Sequence, residues 1–176
     1  MKKLMICLFI VPSVAFSQRT VTKATDNFTY KKTAERNLKI YSFTPPTWEK
    51  TKQYPSIVFY FGGALIKRNL NQLENIAQEF SKNGYVAFLA DYRVKSRENV
   101  TALDCISDAR DAFAFVRENA DRFALDDSKI TAFGYSSGGY LASALGTLND
   151  PIHGANSKPN SMILLAMGNP TKYRTK

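Results

Sequence analysis

Apolar and polar residues alternate along this chain at two different periods. Over residues 37–43, Leu38 and Ile40 alternate with Asn37, Lys39 and Tyr41, the period of two that a strand with one buried face requires. Together with residues 28–33 and the turn Ala34-Glu35-Arg36, this predicts two short strands. Pro45 and Pro46 stop the second, since proline has no amide hydrogen to continue the pairing. Residues 56–61 (SIVFYF) and 85–90 (YVAFLA) are nearly unbroken apolar runs, the pattern of strands covered on both faces. Between them Leu73, Ile76, Ala77 and Phe80 recur at helical spacing, which predicts a helix over 70–82 stopped by Asn83-Gly84. A longer helix is predicted over 101–123. Thr101 and Asp104 have the spacing of a capping box, and Leu103, Ile106, Phe113, Val116, Ala120 and Phe123 form its sheet-facing stripe. Asp104, Asp108 and Asp111 fall on another face, read as solvated and neutralised by Arg110 and Arg117 rather than as a metal cluster. A strand around Ile130, Thr131 and Phe133 follows, then a helix over 137–148, a loop over 149–160 and a last strand over 162–166. Trp48, in the link before residue 56, reads as a packing residue.

Strands that alternate with helices imply right-handed crossovers and a mainly parallel sheet with helices on both faces. In such sheets sites form beyond the carboxyl ends of the strands. Gly62-Gly63, Asp91 and Ser136 all fall at such ends. Gly134-Tyr135-Ser136-Ser137-Gly138 is a G-x-S-x-G sequence between a strand and a helix, the setting of a nucleophile elbow. The turn is so tight that a Cβ at either glycine would clash, and it holds Ser136 with its hydroxyl exposed. Ser137 follows, so its backbone N–H is placed to help hold an oxyanion.

Composition adds a leader and removes several alternatives. Residues 1–17 carry Lys2 and Lys3, an apolar run from Leu4 to Phe16 and Ala15-Phe16-Ser17 before a cut, which reads as a secretory signal peptide too short to span a bilayer. Cys7 stands too early in that run for a lipoprotein signal. Cleavage after Ser17 lowers the formal charge from +9 to +7 by removing the two lysines, and it leaves Cys105 without a disulfide partner. Cys105, one position off the buried stripe, reads as packing rather than as a nucleophile. The lysines and arginines are dispersed, so the basic balance implies a soluble surface rather than a nucleic-acid partner. No zinc spacing, phosphate loop or dinucleotide fingerprint is present, so no metal or cofactor is expected. Residues 18–176 are expected to form one domain, with the protein secreted or periplasmic.

The segments VFYFGGA (58–64), YVAFLADYRV (85–94), DCISDARDAFAFVRENADRF (104–123) and KITAFGYSSGGYLA (129–142) resemble the α/β-hydrolase fold. More narrowly they resemble its acetyl-esterase and lipase branch related to hormone-sensitive lipase and the small secreted carbohydrate esterases. The resemblance implies Ser136 as nucleophile. The H-G-G-G loop of that branch falls on Phe61-Gly62-Gly63-Ala64, which implies the Gly62 and Gly63 N–H groups, with that of Ser137, as oxyanion donors. Phe61 replaces the histidine without touching the backbone donors, whereas Ala64 in place of the third glycine is expected to change the loop dihedrals. Asp91 and Arg93 match the D-Y-R segment and are read as structural.

The branch places an acid and then a histidine after the serine. Here only Asp150 and the single histidine, His153, follow Ser136. The intervening helix, with about 1.5 Å rise per residue, carries the chain roughly 16 Å away from the catalytic edge. Asp150 and His153 are therefore read as parts of a distant turn rather than of a triad. The expectation is a hydrolase sheet truncated after about the sixth strand, with an uncovered apolar edge that invites self-association. The function expected is that of a serine carboxylester hydrolase for short acyl or acetyl esters of small molecules or carbohydrates, impaired in this chain for want of its acid and base. The alternative is a non-catalytic binding module or degenerate pseudo-hydrolase.

Overall fold

The computed structural model describes residues 21–167. The expected signal peptide over 1–17 lies outside the described residues. Six strands form one sheet: β1 (Asp26–Lys32), β2 (Asn37–Phe43), β3 (Tyr54–Tyr60), β4 (Val86–Ala90), β5 (Leu125–Tyr135) and β6 (Ser161–Leu165), in the spatial order β1-β2-β4-β3-β5-β6. β1 pairs antiparallel with β2, and β2 with β4. The pairs β4–β3, β3–β5 and β5–β6 are parallel. This is the mainly parallel sheet expected from the alternation of strands and helices.

The two long apolar runs are the centre of that sheet because both of their faces are covered. Successive side chains of a strand point to opposite faces. Phe59 meets Phe80 edge-on at 5.7 Å on one face, while the Tyr60 hydroxyl donates to the Ala109 carbonyl oxygen at 3.0 Å on the other. Phe80 belongs to α1 (Glu74–Lys82), which continues from a 3-10 turn at Leu70–Leu73. Ala109 belongs to α3 (Ala102–Glu118). Helices therefore cover both faces. A short α2 (Lys95–Glu98), which no apolar periodicity signals, joins β4 to α3.

The long helix departs from expectation in three places. It breaks at Asn119, whose side-chain amide donates to the Phe115 carbonyl oxygen at 2.8 Å, and a separate α4 (Ala120–Phe123) follows. Leu103 is 75% exposed and does not face the sheet. At 100° per residue it lies about 120° round the helix from Ala109, outside the arc made by Cys105, Ile106, Ala112, Phe113 and Val116. Asp108 is fully buried rather than solvated. It accepts from Lys31 Nζ at 2.7 Å and from Arg93 Nε at 2.8 Å, because β1 lies across this part of α3. Its partners are thus Lys31 and Arg93, not Arg110 or Arg117. The Thr101–Asp104 capping box forms as its spacing predicts.

At the other rim β6 is the edge strand. Ile163 is 42% and Leu165 51% exposed, although they point to the same face and Met162 and Leu164 to the other. Side chains on both faces of this edge are partly exposed among the described residues, although the helix over 137–147 packs against one of them.

Candidate active site

Ser136 stands between the end of β5 and the start of α5 (Ser137–Thr147) at φ 53° and ψ −118°. This is the strained conformation that a sharp strand-to-helix turn imposes, and it persists because its surroundings leave no alternative. A Cβ on Gly134 would come inside 3.0 Å of the Gly138 backbone, and one on Gly138 inside 3.0 Å of the Tyr60 and Phe61 carbonyl oxygens. Both glycines are therefore required by close approach, as the elbow pattern predicts. The Ser136 N–H donates to the Leu165 carbonyl oxygen at 2.9 Å, and its own carbonyl accepts from Gly139 at 2.9 Å. The Ser136 side chain makes no hydrogen bond among the described residues and is half-buried. The Ser137 N–H opens α5, where N–H groups have no intrahelical acceptor and the helix dipole favours negative charge.

The loop after β3 lies directly against this turn. A Cβ on Gly62 would sit 3.1 Å from the Ser136 Cβ and 2.9 Å from the Tyr135 ring. Gly63 has φ 140°, and Ala64 and Leu65 follow at 56° and 57°. Alanine occupies that region at a cost of about 1–2 kcal/mol that glycine avoids, so the loop is left-handed at Ala64 despite its side chain. The loop folds over itself, with Ile66 and Lys67 both donating to the Gly63 carbonyl oxygen at 2.9 Å. Its far end is tied to the elbow by a Leu65 N–H bond of 3.3 Å to Ser137 Oγ.

One expected donor is otherwise engaged. The Gly62 N–H donates to Gln72 Oε1 at 2.9 Å, because the 3-10 turn brings Gln72 beside the loop. Sequence pattern carried no signal for Gln72, a polar residue between two buried leucines. Among the described residues the Gly63 and Ala64 N–H groups are unbonded, so the free N–H groups beside the elbow are those of Gly63, Ala64 and Ser137.

His153 and Asp150 do not reach Ser136. The His153 Nε2 is 2.6 Å from Asp111 Oδ1 on α3. Asp150 Oδ1 accepts from the Ile152 and His153 N–H groups at 3.0 and 3.3 Å, the turn expected at Asp150-Pro151. The loop docks on α3 again through Arg110, which donates to the Asn149 carbonyl oxygen at 2.7 Å. Asp91 and Arg93 are structural. Asp91 receives Arg36 at 3.0 Å and Arg68 at 2.7 Å, tying the β1–β2 turn and the segment beyond Gly63 to the end of β4. The buried Cys105 thiol donates to the Arg93 carbonyl oxygen at 3.3 Å. Burial, with Asp108 and Asp104 nearby, pushes it up to about 12, so at neutral pH it is a packing group rather than a nucleophile. Among the described residues no three or more His, Cys, Asp or Glu side chains are grouped to hold a metal ion. No described helix is long and apolar enough to cross a membrane.

A mainly parallel sheet in this strand order, with a strained serine on the turn leaving β5, defines an α/β-hydrolase. Residues 38–162 match the BD-FAE family model, and the chain belongs to that family. It is 33% identical over 103 residues to the esterase LipC of Mycobacterium tuberculosis, a match that spans 57% of this chain and 25% of LipC. It is 29% identical over 93 residues to an AB hydrolase superfamily protein of Schizosaccharomyces pombe, 27% of whose length is covered. Among solved structures, the thermophilic esterase Est2 of Thermogutta terrifontis superposes with a TM-score of 0.74 at 35% identity, over 81% of this chain and 52% of that one. The chain thus matches about a quarter of the length of the first two relatives and about half of the third.

Proposed function

We propose that this chain carries the nucleophile and oxyanion donors of a serine carboxylester hydrolase for short acyl or acetyl esters of small alcohols or carbohydrates. The observation that carries this is the Ser136 turn, strained at φ 53° with the Gly62-Gly63 loop packed against it. In the reaction Ser136 Oγ attacks the ester carbonyl carbon and the alcohol leaves. The oxyanion is held by the N–H groups of Gly63, Ala64 and Ser137, and water then releases the acid. Oxyanion donors of this kind contribute most when fixed in place before the charge develops. Short acyl groups fit the neighbour of known structure, since Thermogutta Est2 has been seen with propionate and with butyrate bound.

The general base comes from outside these 176 residues. The one histidine is His153, and its ring is held by Asp111 on α3. A serine without its base keeps at most on the order of 10³–10⁴-fold catalysis over water. The test is hydrolysis of p-nitrophenyl acetate by this chain alone and by the product of any longer reading frame that supplies an acid and a histidine. The expected result is slow release from the first and enzymatic turnover from the second. Full activity in the first, lost on His153→Gln, would overturn the placement of the base. If neither cleaves a panel of acyl esters but one binds a carbohydrate, the reading as a binding module replaces this one.

Two further parts of the reading concern the start of the chain and the β6 edge. Residues 1–17 direct secretion, to the periplasm or beyond. In the form given by these 176 residues, the β6 edge left exposed among the described residues pairs with a second copy of this chain, since an edge strand offers unpaired backbone groups. Sedimentation should show a concentration-dependent dimer that Ile163→Lys disperses. A monomer at every concentration would exclude it.

A further inference from the structure

We propose that Tyr92 and Gln72 are positioning residues that grip the two polar ends of the Phe61–Gly62 peptide and so aim the Gly63 and Ala64 N–H groups at the Ser136 site. The chemistry rests on the esterase reading above, while the grip itself is visible in the geometry. Tyr92 is fully buried and its ring stacks on Phe61 at 4.1 Å with 9° between planes. Its hydroxyl donates to the Phe61 carbonyl oxygen at 2.6 Å. Across the same peptide, the Gly62 N–H donates to Gln72 Oε1 at 2.9 Å. The peptide unit is planar. Holding its carbonyl on one edge and its N–H on the other therefore removes rotation of the whole plane.

This position has a particular need for such a grip. Gly62 carries no side chain because Tyr135 and Ser136 leave no space for one, so it has nothing of its own to resist a turn of the peptide. Downstream, the Leu65 N–H bond to Ser137 Oγ fixes the other end of the loop. Gly63 and Ala64 lie between these two fixed points, with the Gly63 carbonyl oxygen accepting from Ile66 and Lys67, and theirs are the loop N–H groups left unbonded among the described residues. Releasing either end of the Phe61–Gly62 peptide frees the start of that span. Tyr92 and Gln72 come from separate elements, the end of β4 and the turn before α1, so both are brought to the loop by the fold.

The test uses this chain and phenylboronic acid. The boron bonds to Ser136 Oγ, the serine proton passes to buffer, and the anionic adduct places an oxygen where the oxyanion would lie. Tyr92→Phe removes only the hydroxyl and keeps the ring stack. Gln72→Met keeps length and removes the acceptor, at a position exposed enough to fold. Each should weaken boronate binding by on the order of 10- to 100-fold, the upper end being the scale of a site group displaced by about 1 Å. The double variant should be no weaker than the worse single one, because one lost grip already frees the peptide. Hydrogen exchange at the Gly62 amide should become fast in Gln72→Met and stay slow in Gln72→Glu, whose carboxylate still accepts. Boronate affinities within about twofold of the parent in both single variants, or effects that simply multiply in the double, would overturn the proposal. A parent chain that protects Gly62 yet binds no boronate would instead overturn the esterase reading, and the positioning role with it.

Discussion

Ser136→Ala is expected to lower ester turnover by on the order of 10⁶-fold, the scale seen when a serine nucleophile is removed, in whichever form of the protein turns over p-nitrophenyl acetate. The same substitution should leave thermal unfolding almost unchanged. The Ser136 side chain is half-buried and makes no hydrogen bond among the described residues, so its loss strands no partner. Alanine keeps the Cβ, so the backbone strain at φ 53° is the same before and after. A hydroxyl that costs little to remove from the fold, at a strained strand-to-helix turn, is what the proposed nucleophile requires. Initial rates and melting curves on one preparation check both halves. Turnover retained in the variant would place the nucleophile elsewhere.

The fold was legible where a pattern repeats. β2 occupies residues 37–43, as its alternation predicts, and the apolar runs at 56–61 and 85–90 became β3 and β4 with shifts of one or two residues. What escaped the sequence depends on neighbours that no local period encodes. Leu103 belongs to the apolar pattern of its helix, but only the arc around Ala109 meets the sheet. Asp108 looks like any carboxylate on a helix until β1 and Arg93 close over it. The break at Asn119 depends on one side chain capturing the Phe115 carbonyl, a choice that nothing in the spacing dictates.

The site divides along the same line. Ser136, Ser137 and the flanking glycines could be named because a tight turn restricts which residues fit, and the restriction is written at fixed offsets. The distance of His153 from that turn followed from helix rise alone, and its bond to Asp111 agrees. The free N–H groups of the loop were only half legible. Glycine pairs say that backbone approaches something closely, but not which of its N–H groups is taken. That was decided by Gln72, ten residues on, which takes the Gly62 N–H, while Tyr92 takes the Phe61 carbonyl beside it.

Gly138→Ala should cost roughly 4 kcal/mol or more of stability, at the far end of the range for point substitutions. The added carbon would fall inside 3.0 Å of the Tyr60 carbonyl oxygen, the Tyr60 carbonyl carbon and the Phe61 carbonyl oxygen, all of them backbone. None can retreat cheaply. Tyr60 is held opposite Gly134 in the β3–β5 ladder, and β3 is hemmed in by β4 on its other side. Gly84→Ala is the matching control. Gly84 has φ 88° but nothing within 4 Å of a new Cβ, so only the backbone penalty of about 1–2 kcal/mol applies. Urea unfolding of the two variants should separate them by about 2 kcal/mol or more. Since ordinary domains have only about 5–15 kcal/mol in hand, the Gly138 variant should also lose soluble yield. The strain has a second consequence, because the Phe61 carbonyl it displaces is the one Tyr92 holds. Any Gly138→Ala protein that does fold should therefore bind an oxyanion mimic poorly, through a loop knocked out of line rather than through any change at the serine hydroxyl.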